Sequence, residues 1–387
     1  MNTKLFVLFV LLLNAGSTYA FENFDQAFSQ MRQRYSIGHY KRTIAIYPDT
    51  LELSKTPTQK FNALYYKGLA LNSLQKFLQA EQVFKKASTI KNISQTQRMQ
   101  AHYNQIRSQY ANKHFTSVLA TAEKYSKLSK KPSVLELNIL LTAIEAARQL
   151  NKNKKALALA EKMTKNTDKD SAWHYRGIII QVQILTFLKD YNKAKQVMGK
   201  VDINKIPSPM CSEFLAWCGF CYEKDNQPES AAKLYSLAYK DYSSYYSALA
   251  ALRHANLLDR MGGDDKEIVL KYTKVLELKG ANSKHKSQAI YKIACIYNKQ
   301  KKTETAMRYL AQIKDLKSPS VYWQSKIYNL HGDILYKKGK MAMAKQYYKD
   351  CLKLFHPPKD SKLYASKIIA QMEEKTTSPR KNSLAKK

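Results

Sequence analysis

The stretch GLALNSLQKFLQAEQVFKKA, residues Gly68 to Ala87, decides the fold of this chain. Gly68 is followed by Ala80, Phe84 and Ala87 at spacings of 12, 4 and 3 residues. Residues three or four apart share one face of a helix, so the last three mark the packed face of a single helix. The glycine belongs to the helix before it. The stretch therefore predicts two closely packed helices joined by a short turn.

This spacing is repeated along the chain. It returns as Gly219, Ala231, Tyr235, Ala238 and as Gly332, Ala344, Tyr348, Cys351. With the alanine position as a marker, units follow one another at steps of 37 or 38 residues. The markers are Thr43, Ala80, Val118, Ala156, Ala194, Ala231, Ile268, Ala306 and Ala344. A fixed period of this length predicts an array of nine repeats.

The residue types in the frame have a physical reason. A glycine without a Cβ lets the second helix cross closely, and the alanine does the same from the other side. The aromatic one turn later is expected to fill the space between one helix pair and the next. The frame resembles the tetratricopeptide repeat, whose usual period is about 34 residues. The resemblance implies an all-α, right-handed superhelical solenoid of about nine helix-turn-helix pairs over residues 21–358.

The N-terminus resembles a signal peptide. Lys4 precedes nine apolar residues, Leu5 to Leu13, and the small residues Thr18 and Ala20 stand where a signal peptidase reads. The apolar run is short for a span of about 20 residues, which makes an uncleaved anchor the weaker alternative. We expect residues 1–20 to be removed before Phe21 and the protein to be exported to the periplasm or cell exterior of a bacterium. No cysteine follows the run, so a lipoprotein is not expected.

Two further segments bear on the organisation of the chain. The most apolar internal window, Gly177 to Leu188, contains two glutamines and is predicted to be a core helix. Pro357, Pro358 and Asp360 mark the start of a last helix, predicted over residues 359–374, that caps the array. Residues 375–387 are predicted to form a disordered basic tail.

Charge indicates an anionic partner. Lys and Arg outnumber Asp and Glu by 65 to 30, which gives a net charge of +35. Anionic lipid, acidic polysaccharide or an acidic protein would suit an exported chain, and the tail could reach a membrane surface. Nucleic acid is disfavoured, because no base-reading module is present and export removes the chain from the cytosol. Binding through charge alone is the alternative to binding in a groove.

The run AWCGFCY, Ala216 to Tyr222, looks like a thiol-disulfide site with Cys218 and Cys221. Such a site needs a strand before the first cysteine and a helix that begins at it. Here the helical pattern continues backwards through Met210, so packing is the favoured interpretation. A redox enzyme that uses Cys218 and Cys221 is the less favoured alternative.

Other chemistry has little support. The chain has no HExxH, GxSxG, Walker or GxGxxG motif, and a histidine such as His331 is expected to pack. No metal, cofactor or small-molecule substrate is expected. By resemblance, the protein is predicted to be a non-enzymatic scaffold or adaptor that binds a protein or peptide in the concave groove of the array. The basic charge of the chain would suit an acidic partner there.

The groove is expected on the first helix of each pair, where aromatic and basic residues alternate. Carboxylate-clamp residues that some family members carry are not found in register, since Lys292, Asn298 and Asn329 are offset. Projection of the repeat frame gives these groove residues: Phe28, Arg32, Tyr35, Tyr65, Leu69, Tyr103, Arg107, Tyr110, Arg148, Phe187, Trp217, Phe220, Arg253, Leu257, Arg260, Tyr291, Lys299 and Tyr336.

Overall fold

The structure is a computed structural model that describes residues 21–125, 132–240 and 243–381. All regular structure in these ranges is helical, as predicted, and the helices form nine pairs and a last helix. The first helices are α1 (Phe24–Ser36), α3 (Pro57–Ser73), α5 (Gln95–Ala111), α7 (Val134–Gln149), α9 (Ala172–Phe187), α11 (Ser208–Lys224), α13 (Tyr245–Met261), α15 (Ser283–Lys299) and α17 (Val321–Lys337). The second helices are α2 (Tyr40–Glu52), α4 (Phe77–Ser88), α6 (Phe115–Tyr125), α8 (Asn153–Lys165), α10 (Tyr191–Met198), α12 (Pro228–Lys240), α14 (Asp265–Glu277), α16 (Thr303–Ala311) and α18 (Met341–Lys353), and α19 (Lys359–Lys381) follows them.

The chain divides into two compact units, unit 1 up to Ile184 and unit 2 from Leu185. Within unit 1, each helix packs on the next, and α1, α3, α5 and α7 also pack side by side. Unit 2 repeats this arrangement with α11, α13, α15 and α17. Short turns join antiparallel helices, so each unit has a layer of first helices and a layer of second helices. The exposed side of the first helices is called the first-helix face below.

The marker position has the same place in every pair. Each of the nine marker residues is the fourth residue of its second helix, and none is more than 2% exposed. This position lies one turn into the helix, on the side that meets the first helix. The predicted repeat frame is therefore confirmed in all nine pairs, including those where the marker is Thr43, Val118 or Ile268.

Glycine and aromatic meet within one pair. A Cβ built on Gly68 would lie 2.6 Å from Cζ of Phe84, and those built on Gly219 and Gly332 would lie 2.7 Å from the rings of Tyr235 and Tyr348. The expectation that the aromatic fills the space between pairs was therefore wrong. The ring covers the glycine of its own pair, because the second helix crosses the first at that residue.

Three other pairs exchange volume between these two positions, while the remaining three have two larger residues there. A large residue on the first helix is matched by a small one on the second, and the reverse, with each side chain at most 3% exposed. The combinations are Ile106 with Ala122, Ile144 with Ala160, and Ala294 with Leu310. Interiors are packed to near-crystalline density, so in these pairs a large side chain on one helix requires a small one on the other.

The turn inside each pair has one left-handed residue. Glycine takes this conformation at Gly38, Gly262 and Gly339, with φ of 79°, 71° and 71°. The other six turns use non-glycine residues, namely Gln75, Lys113, Asn151, Lys189, Asn226 and Lys301. Backbone N–H groups at and after this residue donate back to the end of the first helix, as in a Schellman motif.

The last helix closes unit 2. Ala365 is fully buried and Met372 is 6% exposed, in a cluster with Leu335, Tyr348 and Cys351. The Nδ2 atom of Asn329 donates a hydrogen bond of 3.1 Å to the carbonyl of Ser361. The helix continues to Lys381, past the end predicted at Glu374. No glycine or proline lies between Glu374 and Pro379, and Pro379 falls in the last turn.

Two predicted segments fall outside this description in whole or part. The predicted signal peptide, residues 1–20, lies outside the described residues, as do residues 382–387 of the predicted tail. The apolar window that begins at Gly177 is part of α9, and residues 178–186 are buried, so the prediction of a core helix is confirmed. Among the described residues, no helix is both long and apolar enough to cross a bilayer.

Lys301 is strained by its left-handed backbone. We predict that Lys301→Gly raises the free energy of unfolding by about 1 kcal/mol, because a Cβ in this conformation costs about 1–2 kcal/mol. The matched control is Lys233→Gly at an exposed position inside α12, where glycine is expected to lower stability by about 1 kcal/mol. Urea unfolding followed by circular dichroism checks both. A destabilised Lys301→Gly protein would contradict the assigned turn.

The glycine-aromatic contact should tolerate a larger residue only if the partner shrinks. We predict that Gly68→Ala lowers the unfolding free energy by about 1–2 kcal/mol, because the added methyl overlaps the Phe84 ring. Adding Phe84→Leu reproduces the alanine-leucine combination of Ala294 and Leu310 and should recover part of the loss. Urea midpoints of the wild type, both single variants and the double variant give the coupling energy. Purely additive effects would contradict the exchange of volume.

Candidate functional site

Every predicted groove residue lies on a first helix, and most are half-buried or exposed. Leu257 is the exception. It is 5% exposed and shares a buried helix face with His254, three residues earlier, so it belongs to the core of unit 2 and not to a groove. The remaining residues form distinct groups in the two units, and several are engaged in contacts within their unit.

A group of aromatic rings connects α1 with α3 in unit 1. The rings of Phe28 and Tyr35 each meet the ring of Tyr66 edge-on, at centroid distances of 5.4 and 5.6 Å. Tyr65 packs on Phe84 at 5.8 Å, and the Arg32 guanidinium lies 5.8 Å from the centre of the Phe28 ring. Edge-on pairs of this kind are favourable and fix ring orientation.

Beside these rings, a cleft of about 280 Å³ crosses three successive first helices. The predicted residues Tyr35, Leu69 and Arg107 line it, one each from α1, α3 and α5. The other lining residues are Asn72, Ser73, Phe77, Asn104 and Ala111. Sequence reasoning therefore found the cationic and apolar walls of the cleft and missed its amides.

Hydrogen bonds orient the amides of the cleft. Nδ2 of Asn104 donates to the Tyr65 hydroxyl at 3.0 Å, and the Ser108 hydroxyl donates to Oδ1 of Asn72 at 2.9 Å. The Asn72 amide N–H groups therefore remain available among the described residues. A signal for both asparagines was present in the sequence, since asparagine is a poor residue for a helix interior and is usually kept there for its side chain.

Arg107 supplies the positive charge of the cleft. Its side chain is exposed and makes no ion pair within the described part of the chain. Its guanidinium lies 5.5 Å from the centre of the Tyr103 ring, which also packs on the core. Tyr110, one turn later, meets Phe115 edge-on at 5.3 Å. Arginine donates through a planar fork that suits a carboxylate, and here no carboxylate of the described residues occupies that fork.

Unit 2 contains a separate aromatic group of Phe187, Trp217 and Phe220. Their ring centroids are 5.5 to 6.4 Å apart, and all three contacts are edge-on. Phe187 is 55% exposed, which is unusual for a ring of its size. The indole N–H of Trp217 has no hydrogen-bond partner among the described residues. The group combines exposed apolar area with an unsatisfied donor.

Arginines border this group but are held internally. The Arg253 guanidinium lies 4.1 Å from the centre of the Phe220 ring and 3.6 Å from Oε2 of Glu223. Arg260 also pairs with Glu223, and the Tyr235 hydroxyl donates a hydrogen bond of 2.6 Å to the Glu223 carboxylate. Glu223 thus ties α11 to α13, and these arginines serve packing between pairs more than ligand binding.

Other predicted residues have structural contacts as well. Arg148 pairs with Glu145 at 3.1 Å within α7, and Tyr291 packs on Trp323 at 5.5 Å. Tyr336 packs against the last core cluster of unit 2, while Lys299 is exposed at the end of α15. The offset clamp candidate Lys292 pairs with Asp259 at 2.7 Å.

The cysteines of the CxxC run are core residues. Cys218 is 2% exposed and Cys221 fully buried, both in the middle of α11. Burial raises the pKa of the Cys218 thiol well above its usual range, and burial also raises that of Cys221. Because the thiolate is the reactive form, these environments favour inert thiols, in agreement with the packing interpretation.

His331 also occupies a buried packing position. His331 is 5% exposed, and its ring stacks on Tyr347 at 4.0 Å. Loss of hydration lowers the pKa of His331 to about 4, so the imidazole is neutral near pH 7. No group of three or more His, Cys, Asp or Glu side chains could hold a metal ion in the part of the chain that the structure describes.

Comparison with known families agrees with this architecture. Residues 220–370 match the family model described as a tetratricopeptide repeat-like domain. The resemblance is thus confirmed. The matched segment begins in α11, one residue after Gly219, and ends in α19, so it contains the complete frame of Gly332, Ala344 and Tyr348. No curated protein matches the chain.

A solved structure shows a similar fold at low identity. The apo form of RapI is 10% identical, with a TM-score of 0.51 over 85% of this chain and 96% of that one. A tetratricopeptide repeat protein from Parabacteroides merdae is 14% identical, with a TM-score of 0.40 over 80% of this chain and 98% of that one. At these identities the likeness concerns fold alone.

Proposed function

We propose that this protein is a non-enzymatic scaffold that binds a protein or peptide partner on its first-helix face. The tetratricopeptide-like architecture supports this proposal, because stacked repeats present extended surfaces suited to such partners. The cleft of unit 1 carries it most directly. There the side chains of three successive first helices, Tyr35, Leu69 and Arg107, meet around one volume of about 280 Å³.

The chemistry of the cleft favours a peptide with an acidic group. Arg107 and the Asn72 amide offer donors without internal partners, while Tyr35 and Leu69 offer apolar area. A peptide with a carboxylate beside an aliphatic or aromatic side chain would bind the donors through its carboxylate and the apolar area through its side chain. The aromatic group of unit 2 around Phe187 and Trp217 is a second contact surface, since large rings supply most of the energy at protein interfaces.

The setting that we propose is the bacterial cell envelope. The charged, apolar and small-residue pattern of residues 1–20 supports export, and the low number of cysteines is compatible with a fold that needs no disulfides. In the envelope, a scaffold of this kind would hold an exported acidic protein. The buried, unactivated thiols of Cys218 and Cys221 speak against a redox role.

Arg107 should decide which peptides bind. We predict that a random peptide library selected on the full chain yields peptides enriched in Asp or Glu next to large apolar residues. Arg107→Ala should weaken their binding about tenfold or more, since a hydrogen bond to a charged group contributes about 1.5–3 kcal/mol. Calorimetry or fluorescence anisotropy with the selected peptides measures the change.

The matched control is Lys60→Ala, which removes an exposed positive charge from α3 outside the cleft. It should leave peptide affinity within about twofold, because distant exposed charges are screened beyond about 10 Å at 0.1 M salt. Selected peptides without acidic residues, or equal losses in the two variants, would refute the cleft as the binding site.

Export should be visible at the mature N-terminus. When the full coding sequence is expressed in a bacterium, we expect the protein in the envelope fraction with Phe21 as its first residue. Cell fractionation followed by N-terminal sequencing measures both. Protein that keeps Met1 and remains in the cytoplasm would overturn the proposed location, while leaving the cleft prediction unaffected.

A further inference from the structure

The four turn segments at one edge of unit 1 contain no acidic residue, and the acids that pair with their cations, Glu81, Glu123 and Glu145, lie just outside them. These segments are the turns inside the first four pairs together with the helix ends that adjoin them, at residues 33–42, 70–79, 108–117 and 146–155. We call this surface the turn edge of unit 1. The basic residues there are Arg34, His39, Lys41, Arg42, Lys76, Lys113, His114, Arg148, Lys152, Lys154 and Lys155. The opposite edge has both signs, with acids at Asp49, Glu52, Glu136, Asp168 and Asp170.

Many of these charges are not neutralised within the chain. Lys41, Arg42, Lys76 and Lys113 are exposed and make no ion pair among the described residues. Others on this edge are paired: His114 with Glu81 at 3.5 Å, Arg148 with Glu145, and Lys155 with Glu123. The free cations come from the first three turns, so they are distributed along the edge rather than gathered at one point.

Local energetics would favour other residues at these positions. Lys113 has a left-handed φ of 61°, which suits glycine better. Lys76 and Lys152 are N-cap residues without a side-chain cap, and the positive end of the helix dipole lies beside them. The first helices on the opposite edge instead begin with capping boxes at Thr56, Ser94 and Ser133. Cations are thus present where they lower stability, which indicates a use for the charge.

Exposed apolar side chains lie among these cations. Ile37 in the first turn and Leu78 at the start of α4 are each 53% exposed. Of the three exposed large apolar side chains described in unit 1, only Val134 lies elsewhere. A duplex nucleic acid presents phosphates without an apolar layer beneath them, whereas a lipid surface presents both. Basic residues interspersed with apolar ones therefore favour lipid.

We propose that the turn edge of unit 1 docks on an anionic lipid surface. The cations meet the headgroup phosphates, and Ile37 and Leu78 enter the boundary between headgroups and acyl chains. None of these cations and apolar side chains lines the cleft around Arg107, although other residues of the turn edge, such as Tyr35 and Phe77, do. Docking therefore brings the lipid surface next to the cleft. The proposal places membrane attachment on the folded edge instead of in the basic tail, and it stands independently of the peptide-binding role.

Vesicle flotation with matched charge variants tests the proposal. The protein, expressed from its full coding sequence, is mixed with phosphatidylcholine vesicles that contain or lack phosphatidylglycerol. The edge variant combines Lys41→Gln, Arg42→Gln, Lys76→Gln and Lys113→Gly. The control variant combines Lys55→Gln, Lys60→Gln, Lys86→Gln and Lys91→Gln, four exposed lysines from outside the turn edge.

Wild type and control should bind the anionic vesicles, and neither should bind phosphatidylcholine alone. The edge variant should bind the anionic vesicles at least about tenfold more weakly, because each basic residue near an anionic membrane contributes about fivefold. Circular dichroism and urea midpoints check folding, and Lys113→Gly is expected to be tolerated because glycine suits its backbone. Equal losses in the edge and control variants would mean that only net charge matters, which overturns the proposal.

A second pair of variants separates lipid from other polyanions. Ile37→Ser with Leu78→Ser should weaken vesicle binding several-fold while leaving any binding to duplex DNA unchanged. If duplex DNA displaces the protein from vesicles and the serine variant binds vesicles like wild type, the edge recognises a linear polyanion and the lipid proposal is wrong. Variants that truncate the chain after Glu374 should retain vesicle binding, and loss of binding there would assign attachment to the tail.

Discussion

In six of the nine helix pairs, the close approach of the two helices depends on the volume shared by two side chains where the helices cross. The Phe84 ring packs directly on Gly68, which has no side chain. In two other pairs the large Ile144 faces the small Ala160, and the small Ala294 faces the large Leu310, all of them buried. In these pairs the two side chains together fill a similar volume, as close packing requires. The first helices of unit 1 pack side by side, and so Tyr35, Leu69 and Arg107 come together from three different helices.

The turn inside each pair is the second constraint. It needs one left-handed residue, and only three of the nine turns use glycine. Lysine stands there in three others, at a cost of about 1–2 kcal/mol each. Sequences that depart from local preference usually do so where function requires it. The packed face of the array thus specifies the fold, while its turns and first-helix face carry the chemistry that a partner or surface would recognise.

Periodic features were predictable from the sequence because they repeat. The marker positions and pair boundaries follow from one spacing, and the structure confirms them even where the frame is degenerate, as at Thr43. Contacts between pairs were not predictable in this way. Glu223 pairs with Arg253 and Arg260 from the next first helix, so two predicted groove cations are partly neutralised. Leu257, also predicted in the groove, is buried in the core. Asn72 and Asn104 were missed, since their role depends on neighbours 36 and 39 residues away.

The central claim is that a partner binds the first-helix face. Photo-cross-linking from matched positions in unit 2 tests it most directly. A photoreactive residue replaces Phe187 on a first helix or Leu270 on a second helix, which are 55% and 64% exposed and similar in polarity. The proteins are irradiated in the envelope fraction of the source cells. The account predicts a discrete protein adduct from position 187 and none from position 270. An adduct from position 270 alone, or equal adducts from both, would contradict it.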